Sequence, residues 1–151
     1  MSRAGFTLIE LMLVTALLGL MLALAAPAFQ GAYSALALED AARSLGLTLD
    51  YARERAVLDG RNWRVDLDPD EGLYRLAEER DGMFRPAEGH LGRARRLPRG
   101  VTLEAPSREL PFLPNGSGVD AEIVLKDGRG RSFRVRVDGV TGAVAETRDE
   151  G

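Results

Sequence analysis

Side chains able to do acid–base, nucleophilic or metal chemistry are scarce in this sequence. It has no cysteine, which excludes disulfides, thiol chemistry and cysteine-based zinc sites. The only histidine, His90, lies in a stretch rich in glycine and arginine, so we interpret it as an ordinary loop residue. With acidic residues concentrated in turns, no compelling nucleophile–base or paired-carboxylate constellation is visible. We therefore predict no catalytic residue, no metal site and no cofactor, and we set aside a membrane-anchored hydrolase.

Four acidic residues close together could suggest a calcium loop, namely Asp66, Asp68, Asp70 and Glu71. Their spacing lacks the glycine and the distal glutamate that an EF-hand loop needs. A solvated acidic turn is the simpler interpretation. The chain as a whole carries 20 Lys+Arg against 23 Asp+Glu, so its charge does not favour nucleic acid or an anionic surface as a partner.

The carboxylate of Glu10 stands directly before a long apolar stretch. Residues 11–38 contain no charged side chain, and as a helix they would extend about 42 Å, more than the ~30 Å core of a bilayer. Arg3 precedes this stretch while Glu39 and Asp40 follow it, which favours a cytoplasmic N-terminus and an exported C-terminal domain. A cleaved signal peptide ending near Ala26-Pro27-Ala28 is the rival interpretation, and it would leave a secreted β domain.

Glu10 needs an explanation because a carboxylate deep in a membrane costs about 2.5 to 3.5 kcal/mol. The segment Arg3-Ala4-Gly5 followed by Phe6-Thr7-Leu8-Ile9-Glu10-Leu11 resembles the processing site of type IV pilins and of type II secretion pseudopilins. This resemblance implies that a prepilin peptidase cuts between Gly5 and Phe6 and that Phe6 is then N-methylated. It also implies that Glu10 pairs with the Phe6 amine of a neighbouring subunit, each charge relieving the burial of the other. The alternative is that Glu10 only reaches the lipid headgroups.

The chain is expected to divide accordingly into a leader (1–5), a transmembrane and filament-core helix (6–32), a continuing amphipathic helix (33–58) and a globular β domain (59–151). Pro27 should kink or locally unwind the helix, as a proline does in the pilins that this chain resembles. Past the apolar stretch, a stripe with helical spacing predicts a face that packs on the domain: Leu38, Ala42, Leu45, Leu49, Ala52 and Ala56. We expect the helix to end at Asp59-Gly60, and a coiled coil is the alternative to packing on the domain.

Two hairpins follow from alternation of apolar residues. The first joins residues 63–67 to 73–76 across the acidic turn. In the second, pairing Leu125 with Phe133 puts the apolar side chains of both strands on one face and leaves Arg134, Arg136 and Glu122 on the other. Another strand is predicted over residues 101–104, and residues 81–100 read as a long surface loop with at most a short strand near Met83-Phe84.

The C-terminal part resembles the GspH/FimT group of pilin-like proteins. The residues of this chain that carry the resemblance are Phe112, Pro114 and Gly116, then Asp127-Gly128 between two strands, and finally Thr141-Gly142-Ala143-Val144. Residues 51–56, with Asn62 and Val65, resemble the end of that group's helix and the start of its first strand. The resemblance implies an α+β, type IV pilin-like fold in which a long N-terminal helix packs on an antiparallel, β-sandwich-like domain, with Phe112, Pro114, Gly116 and Gly142 as structural motif residues.

By this resemblance the chain is expected to be a minor pseudopilin at or near the tip of the periplasmic pseudopilus of type II secretion. Its partners would be other pseudopilins or pilins, the prepilin peptidase and inner-membrane lipid. The alternative is a FimT-like minor pilin, some of which bind DNA. Two arginine groups invite that idea, one at 93, 95, 96 and 99 and one at 129, 131, 134 and 136. No aromatic residues alternate with them as stacking platforms, so an ion-paired surface is preferred and nucleic acid is not expected as a partner.

Overall fold

The computed structural model describes residues 7–149, and for residues 24–32 and 149 it describes only the backbone. Within these residues, one helix, α1 (Leu8–Asp59), is followed by nine strands. The strands are β1 (Trp63–Asp68), β2 (Leu73–Arg80), β3 (Met83–Pro86), β4 (Arg95–Arg96), β5 (Val101–Glu104), β6 (Glu109–Phe112), β7 (Ala121–Asp127), β8 (Ser132–Val137) and β9 (Val144–Asp149). The chain divides into two compact units, residues 1–34 and Ala35–Gly151.

The helix begins and ends where local chemistry predicts. Thr7 precedes the first turn, and its carbonyl and hydroxyl oxygens accept hydrogen bonds from the Glu10 amide at 3.1 and 3.3 Å. Threonine followed three residues later by glutamate is the sequence pattern of a capping box. At the other end Gly60 has a φ of +63°, the left-handed conformation that commonly terminates helices.

The strands form two antiparallel sheets. The first has the order β3-β2-β1-β6, with β4 also pairing with β2, and the second has the order β5-β7-β8-β9. The first hairpin pairs Val65 with Leu76 and Leu67 with Tyr74. The second pairs Leu125 with Phe133. Both predicted hairpins, and the predicted register of the second, are therefore confirmed.

One apolar core joins the helix and both sheets. The predicted helical stripe is buried at all six positions, none more than 1% exposed. It packs with inward-facing side chains that include Val65 and Phe112 from the first sheet and Ile123 and Val135 from the second. A helix packed on antiparallel sheets confirms the predicted α+β, pilin-like class.

Three strands depart from the sequence prediction. The two-residue strand β4 lies within the segment predicted as a loop, and β6 and β9 were not predicted at all. β6 contains Pro111, which is tolerated because this strand is at the edge of its sheet and pairs only with β1. β9 is also an edge strand, and its mostly exposed polar residues give no apolar alternation to detect.

Candidate assembly site

The N-terminal unit presents apolar side chains that no described part of the chain covers. Every side chain from Thr7 to Ala23 is exposed, with Leu8 at 78% and Leu22 at 71%. Exposed apolar surface of this extent marks contact with a membrane or with other proteins. Within residues 7–149, no helical stretch meets the combined length and hydropathy expected of a membrane span.

The predicted processing residues, Gly5 and Phe6, lie outside the described residues, as do the side chain of Pro27 and the other side chains of residues 24–32. The backbone at position 27 is part of α1, which extends from Leu8 to Asp59. Glu10 is in the first helical turn, and its side chain is exposed on the apolar segment. An acidic residue in the first turn interacts favourably with the helix dipole, which gives Glu10 a local role besides any contact with a partner.

Two of the predicted motif residues of the C-terminal part, Gly116 and Gly142, lie next to one helical side chain, Arg53. Its Nε donates hydrogen bonds to the carbonyl oxygens of Thr141 at 2.9 Å and Gly116 at 3.3 Å. These partners are 88 and 63 residues away in sequence. We call this arrangement of Arg53, Gly116, Thr141 and Gly142 the Arg53 junction. It ties the end of α1 to two separate loops.

The first loop is a tight turn after β6. The Gly116 amide donates to the carbonyl oxygen of Leu113 at 2.9 Å, which places Pro114 second in the turn, where its fixed φ is favourable. Gly116 itself has a φ of +84°. Phe112, just before the turn, is fully buried. The motif therefore combines a core anchor, a turn and a carbonyl group that accepts from Arg53.

The second loop is organised by Asp138. One of its carboxylate oxygens accepts hydrogen bonds from the Thr141 amide and hydroxyl, both at 2.8 Å, and from the Val140 amide at 3.1 Å. These bonds, those from Thr141 above all, hold the pKa of Asp138 below its usual value. Gly142 is buried with a φ of +65°, and a Cβ there would overlap with the Gly116 carbonyl oxygen and lie 2.9 Å from Arg53 Cδ. Only glycine fits at this position.

Exposed apolar residues belong to the same three segments. They are Val57 and Leu58 at the end of α1, Leu113 beside Pro114, Val119 after Gly118, and Val140, which is 83% exposed. A Cβ on Gly116 would lie 3.4 Å from the Val57 side chain, so the helix end and the first loop are in direct proximity. The Arg53 junction thus holds segments whose outer surfaces are apolar.

The second arginine group, at 129, 131, 134 and 136, is largely paired with carboxylates. Arg131 Nε donates to buried Asp127 at 2.8 Å, while Arg134 and Arg136 contact Glu122 at 3.5 and 3.2 Å, which confirms the predicted outer face of the hairpin. Burial would raise the pKa of Asp127, but hydrogen bonds from Arg131 and from the Arg129 and Arg131 amides lower it overall. In the other group, Arg96 contacts Glu71.

The carboxylates of the predicted acidic turn are also paired with an arginine. Arg108 contacts both Asp68 and Asp70, and the Asp68 carboxylate accepts from the Glu71 amide at 3.1 Å. Beside it is a cavity of ≈ 280 Å³ whose charged lining is neutralised in the same way, with Arg64 and Arg75 both contacting Asp66. Among the described residues, no group of three or more histidine, aspartate or glutamate side chains is arranged to hold a metal ion.

Comparison with known proteins decides the family. The profile of the family described as type II transport protein GspH matches residues 41–142, about two thirds of the chain. The chain belongs to the GspH family. A second profile, the prokaryotic N-terminal methylation motif, matches residues 1–26. No curated protein sequence matches the chain.

Solved structures of low sequence identity share the fold of this GspH family member. The minor pseudopilin EpsH from the type 2 secretion system of Vibrio cholerae is 18% identical with a TM-score of 0.64, and the match covers 74% of this chain and 96% of EpsH. The type IV minor pilin FimU of Pseudomonas aeruginosa is 16% identical with a TM-score of 0.60, covering 76% of this chain and 98% of FimU. Both confirm the pilin-like fold.

Sequence reasoning found the residues of the Arg53 junction but not their meeting. It named Gly116 and Gly142 as motif residues and included Arg53 only within residues 51–56, which resemble the end of the group's helix. The pair of glycines, one in each loop, is the sequence feature that could have indicated a contact between the loops. Both glycines are buried with a positive φ, and such glycines often mark a close approach of two backbone segments.

Proposed function

We propose that this chain is a minor pseudopilin of a type II secretion system, a structural subunit that acts by assembly and not by catalysis. The observation that carries the proposal is the order of the two family matches on one chain, the methylation motif at residues 1–26 and then the GspH match at 41–142. In this proposal residues 6–32 anchor the protein in the bacterial inner membrane. The domain beyond them lies in the periplasm and joins other pseudopilins at or near the tip of the pseudopilus.

Processing precedes assembly. A prepilin peptidase removes residues 1–5 by cutting after Gly5, and the new N-terminal Phe6 is methylated. Thr7 then lies next to the mature N-terminus and caps the helix, because its hydroxyl and carbonyl accept from the Glu10 amide. The apolar side chains of residues 8–22 serve first as a membrane anchor and then as packing surface between subunits.

Glu10 orients the incoming subunit. It is the only charged side chain between Arg3 and Glu39. An unpaired carboxylate within an apolar assembly is costly, so a register that brings it to the Phe6 amine of a neighbour is favoured over other registers. Pro27 provides local adjustment in the same helix, since it cannot donate a backbone hydrogen bond.

Intact-mass measurement and N-terminal sequencing of the full chain test the processing step. The chain is isolated from membranes of cells with and without a prepilin peptidase, alongside a Gly5→Val variant. We expect a mature chain beginning at N-methylated Phe6 only when the peptidase is present and Gly5 is intact. A chain beginning near Phe29 in every strain would refute the proposal, because it would mean ordinary signal-peptide cleavage.

The assignment to type II secretion has its own test. In a strain that lacks its GspH protein, expression of this chain together with its cognate pseudopilins should restore export, and Glu10→Gln should abolish the recovery without changing processing. Recovery that is unaffected by Glu10→Gln would remove Glu10 from the mechanism.

A minor pilin of a type IV pilus is the second candidate, favoured by the structural similarity to FimU. Restoration of surface pili, without any recovery of export, would select this candidate. Salt-sensitive retention of DNA by the chain would add a nucleic-acid role that the ion pairs of Arg131, Arg134 and Arg136 argue against.

A further inference from the structure

Asn115 lies at the exposed tip of the first loop, and the residue after it is glycine. An asparagine side chain can be attacked by the backbone nitrogen of the next residue, and a large side chain on that residue obstructs the attack. The chain has two asparagines, Asn62 before Trp63 and Asn115 before Gly116. Glycine has no Cβ and is free in φ and ψ, so its nitrogen can approach the side chain closely. Of the two asparagines, Asn115 is therefore the one predisposed to lose its amide group.

The reaction at this site needs only water and base. After a base removes the proton of the Gly116 amide, the nitrogen attacks Cγ of Asn115, the Cγ–Nδ2 bond breaks, and ammonia leaves with a proton taken from solvent. The product is a five-membered succinimide ring that includes the Gly116 nitrogen. Water then opens the ring. Addition at Cγ gives aspartate, whereas addition at the main-chain carbonyl carbon of residue 115 gives isoaspartate, in which the main chain runs through Cβ and Cγ. In both cases one water is taken up and one ammonia is released.

The turn holds the attacking nitrogen in an unsuitable geometry. The Gly116 amide donates to the carbonyl oxygen of Leu113 at 2.9 Å, so these two residues are the ends of a β-turn and Asn115 is its third residue. Asn115 is not among the described residues that have a positive φ, and the turn is therefore type I, in which ψ of the third residue is about 0°. Ring closure needs a different ψ, one that turns Cβ of Asn115 towards the Gly116 nitrogen. Succinimide formation therefore requires the turn to open.

The Asn115 side chain is held as well. Its Oδ1 accepts hydrogen bonds from the Ser117 amide at 3.0 Å and from the Ser117 hydroxyl at 2.7 Å. These donors direct the carboxamide towards Ser117. They also polarise its carbonyl group, but this has no effect while the Gly116 nitrogen is kept away from Cγ. Gly116 itself is buried, and its carbonyl oxygen accepts from Arg53 Nε at 3.3 Å. The Arg53 junction therefore stabilises the closed turn in which both reacting groups are fixed.

We propose that Asn115 is a site of spontaneous deamidation that reacts only while the first loop is open, and that the Arg53 junction keeps this loop closed. Local opening precedes the chemistry, so the observed rate equals the rate of the open chain multiplied by the fraction of time that the loop is open. Deamidation of the isolated chain needs no partner and is therefore independent of the proposed function.

The two products have different consequences for the junction. Isoaspartate lengthens the main chain by one carbon between Pro114 and Gly116. The turn hydrogen bond to Leu113 and the contact of the Gly116 carbonyl with Arg53 then no longer fit together. Aspartate keeps the main chain unchanged and retains an Oδ1 that accepts from Ser117, so it preserves the turn. A chain that has formed isoaspartate cannot rebuild the junction.

Peptide mass spectrometry of the full chain in detergent tests the proposal. The chain is incubated at mildly alkaline pH with and without guanidinium chloride and is digested after set times. The asparagine, aspartate and isoaspartate forms of each peptide are then separated by chromatography. In guanidinium chloride we expect conversion at Asn115 and none on the same time scale at Asn62, which is the internal control. Without denaturant the conversion of Asn115 should be at least about tenfold slower, because the loop is open for only a small fraction of the time.

Arg53→Ala tests the role of the junction, and Arg43→Ala, at an exposed arginine of the same helix, is the matched control. Loss of the hydrogen bonds from Arg53 should raise the rate in the folded chain about tenfold, whereas Arg43→Ala should leave it unchanged. In guanidinium chloride all three chains should react at the same rate, because the Asn-Gly bond itself is unaltered. Fluorescence of the buried Trp63 checks that each variant is folded before incubation. Arg53→Lys, which keeps the charge without the Nε donor, takes the place of Arg53→Ala if that variant is unfolded.

Other outcomes overturn the proposal. Equal rates with and without denaturant would mean that the turn gives no protection, and a faster rate in the folded chain would mean that the Ser117 donors activate the side chain. No conversion at Asn115 in guanidinium chloride, or comparable conversion at Asn62, would remove the site itself. A folded Arg53 variant that reacts no faster than the natural chain would show that the junction does not keep the loop closed.

The consequence for the junction has its own measurement. The isoaspartate form of the full chain is separated from the natural form and unfolded in urea beside Asn115→Asp. We expect a lower urea midpoint for the isoaspartate chain than for Asn115→Asp, because only the former changes the length of the main chain. Equal midpoints would refute the loss of the junction.

Discussion

Replacing Gly142 with alanine is expected to be among the most destabilising single-methyl additions in the domain. Gly142 is buried at the Arg53 junction with a φ of +65°, and a Cβ there would overlap with the Gly116 carbonyl oxygen. That carbonyl is backbone and cannot rotate away as a flexible side chain can. The loop must move, and its movement disturbs the hydrogen bonds that Arg53 donates to Gly116 and Thr141.

The expected loss of stability has three parts. A left-handed alanine costs about 1 kcal/mol. Relieving a backbone overlap costs about 1 to 3 kcal/mol, and weakening hydrogen bonds from a charged donor costs about 1.5 kcal/mol more. We therefore expect Gly142→Ala to lower the free energy of unfolding by about 3.5 to 5.5 kcal/mol, a large part of the total stability of a typical domain.

Gly60→Ala is the matched control. Gly60 has nearly the same φ, +63°, but a Cβ there would meet nothing within 4 Å. Only the backbone term applies to it, about 1 kcal/mol. The difference between the two variants therefore isolates the contact between the loops.

Urea unfolding of the full chain in detergent measures both variants, with Trp63 as the fluorescence reporter because it is the only tryptophan and is 3% exposed. With a urea slope of about 1 to 3 kcal/mol per molar, the midpoint of Gly142→Ala should fall at least about 1 M further than that of Gly60→Ala. Equal midpoints for the two variants would show that the junction is not closely packed, and the reasoning would fail.

Three further predictions concern the same domain. Phe112→Ala should lower the free energy of unfolding by about 3 to 5 kcal/mol because the side chain is fully buried, and an unchanged urea midpoint would contradict this. The pKa of Asp138 is lowered in the folded state, so the stability that its carboxylate contributes is present above the unfolded pKa of about 3.9. That stability is lost as the pH falls through the folded-state pKa. Between pH 2.5 and 6, the urea midpoint of Asp138→Asn should therefore fall less with decreasing pH than that of the natural chain. Gly46→Ala should change the melting temperature little or raise it, because the three atoms nearest to its Cβ all belong to the exposed, movable side chain of Glu146 and alanine favours a helix by up to about 1 kcal/mol. A large decrease in the melting temperature would mean that Glu146 is fixed.

Local periodicity accounts for what the sequence predicts well. The six positions of the helical stripe are buried because a helix returns to the same face every three or four residues. The pairing of Leu125 with Phe133 follows because a one-residue shift would turn every apolar side chain of that hairpin outward. In both cases, the requirement that one face be buried determines which residues point into the core.

The strands and contacts that the sequence did not predict either have no buried apolar face or depend on residues far away in the chain. β9 is mostly exposed along its length, and β6 is recognisable only from its pairing with β1, more than 40 residues earlier in the chain. The hydrogen bonds of Arg53 span 63 and 88 residues, so no local spacing could predict them. The motif glycines and Arg53 were visible in the sequence, but the hydrogen bonds that join them were not.

The buried stripe of α1 also sets an order of folding. The core that buries it includes side chains as far along the chain as Val135 and Val137 in β8, so its cover is not complete until β8 has been made. A chain that emerges with its N-terminus first cannot complete the cover of that apolar face until β8 has arrived, and contacts of such long sequence separation form slowly. The interval between emergence of α1 and completion of β8 is therefore the period in which the domain is most open to aggregation or proteolysis, and a chain truncated before Ser132 would remain in that state.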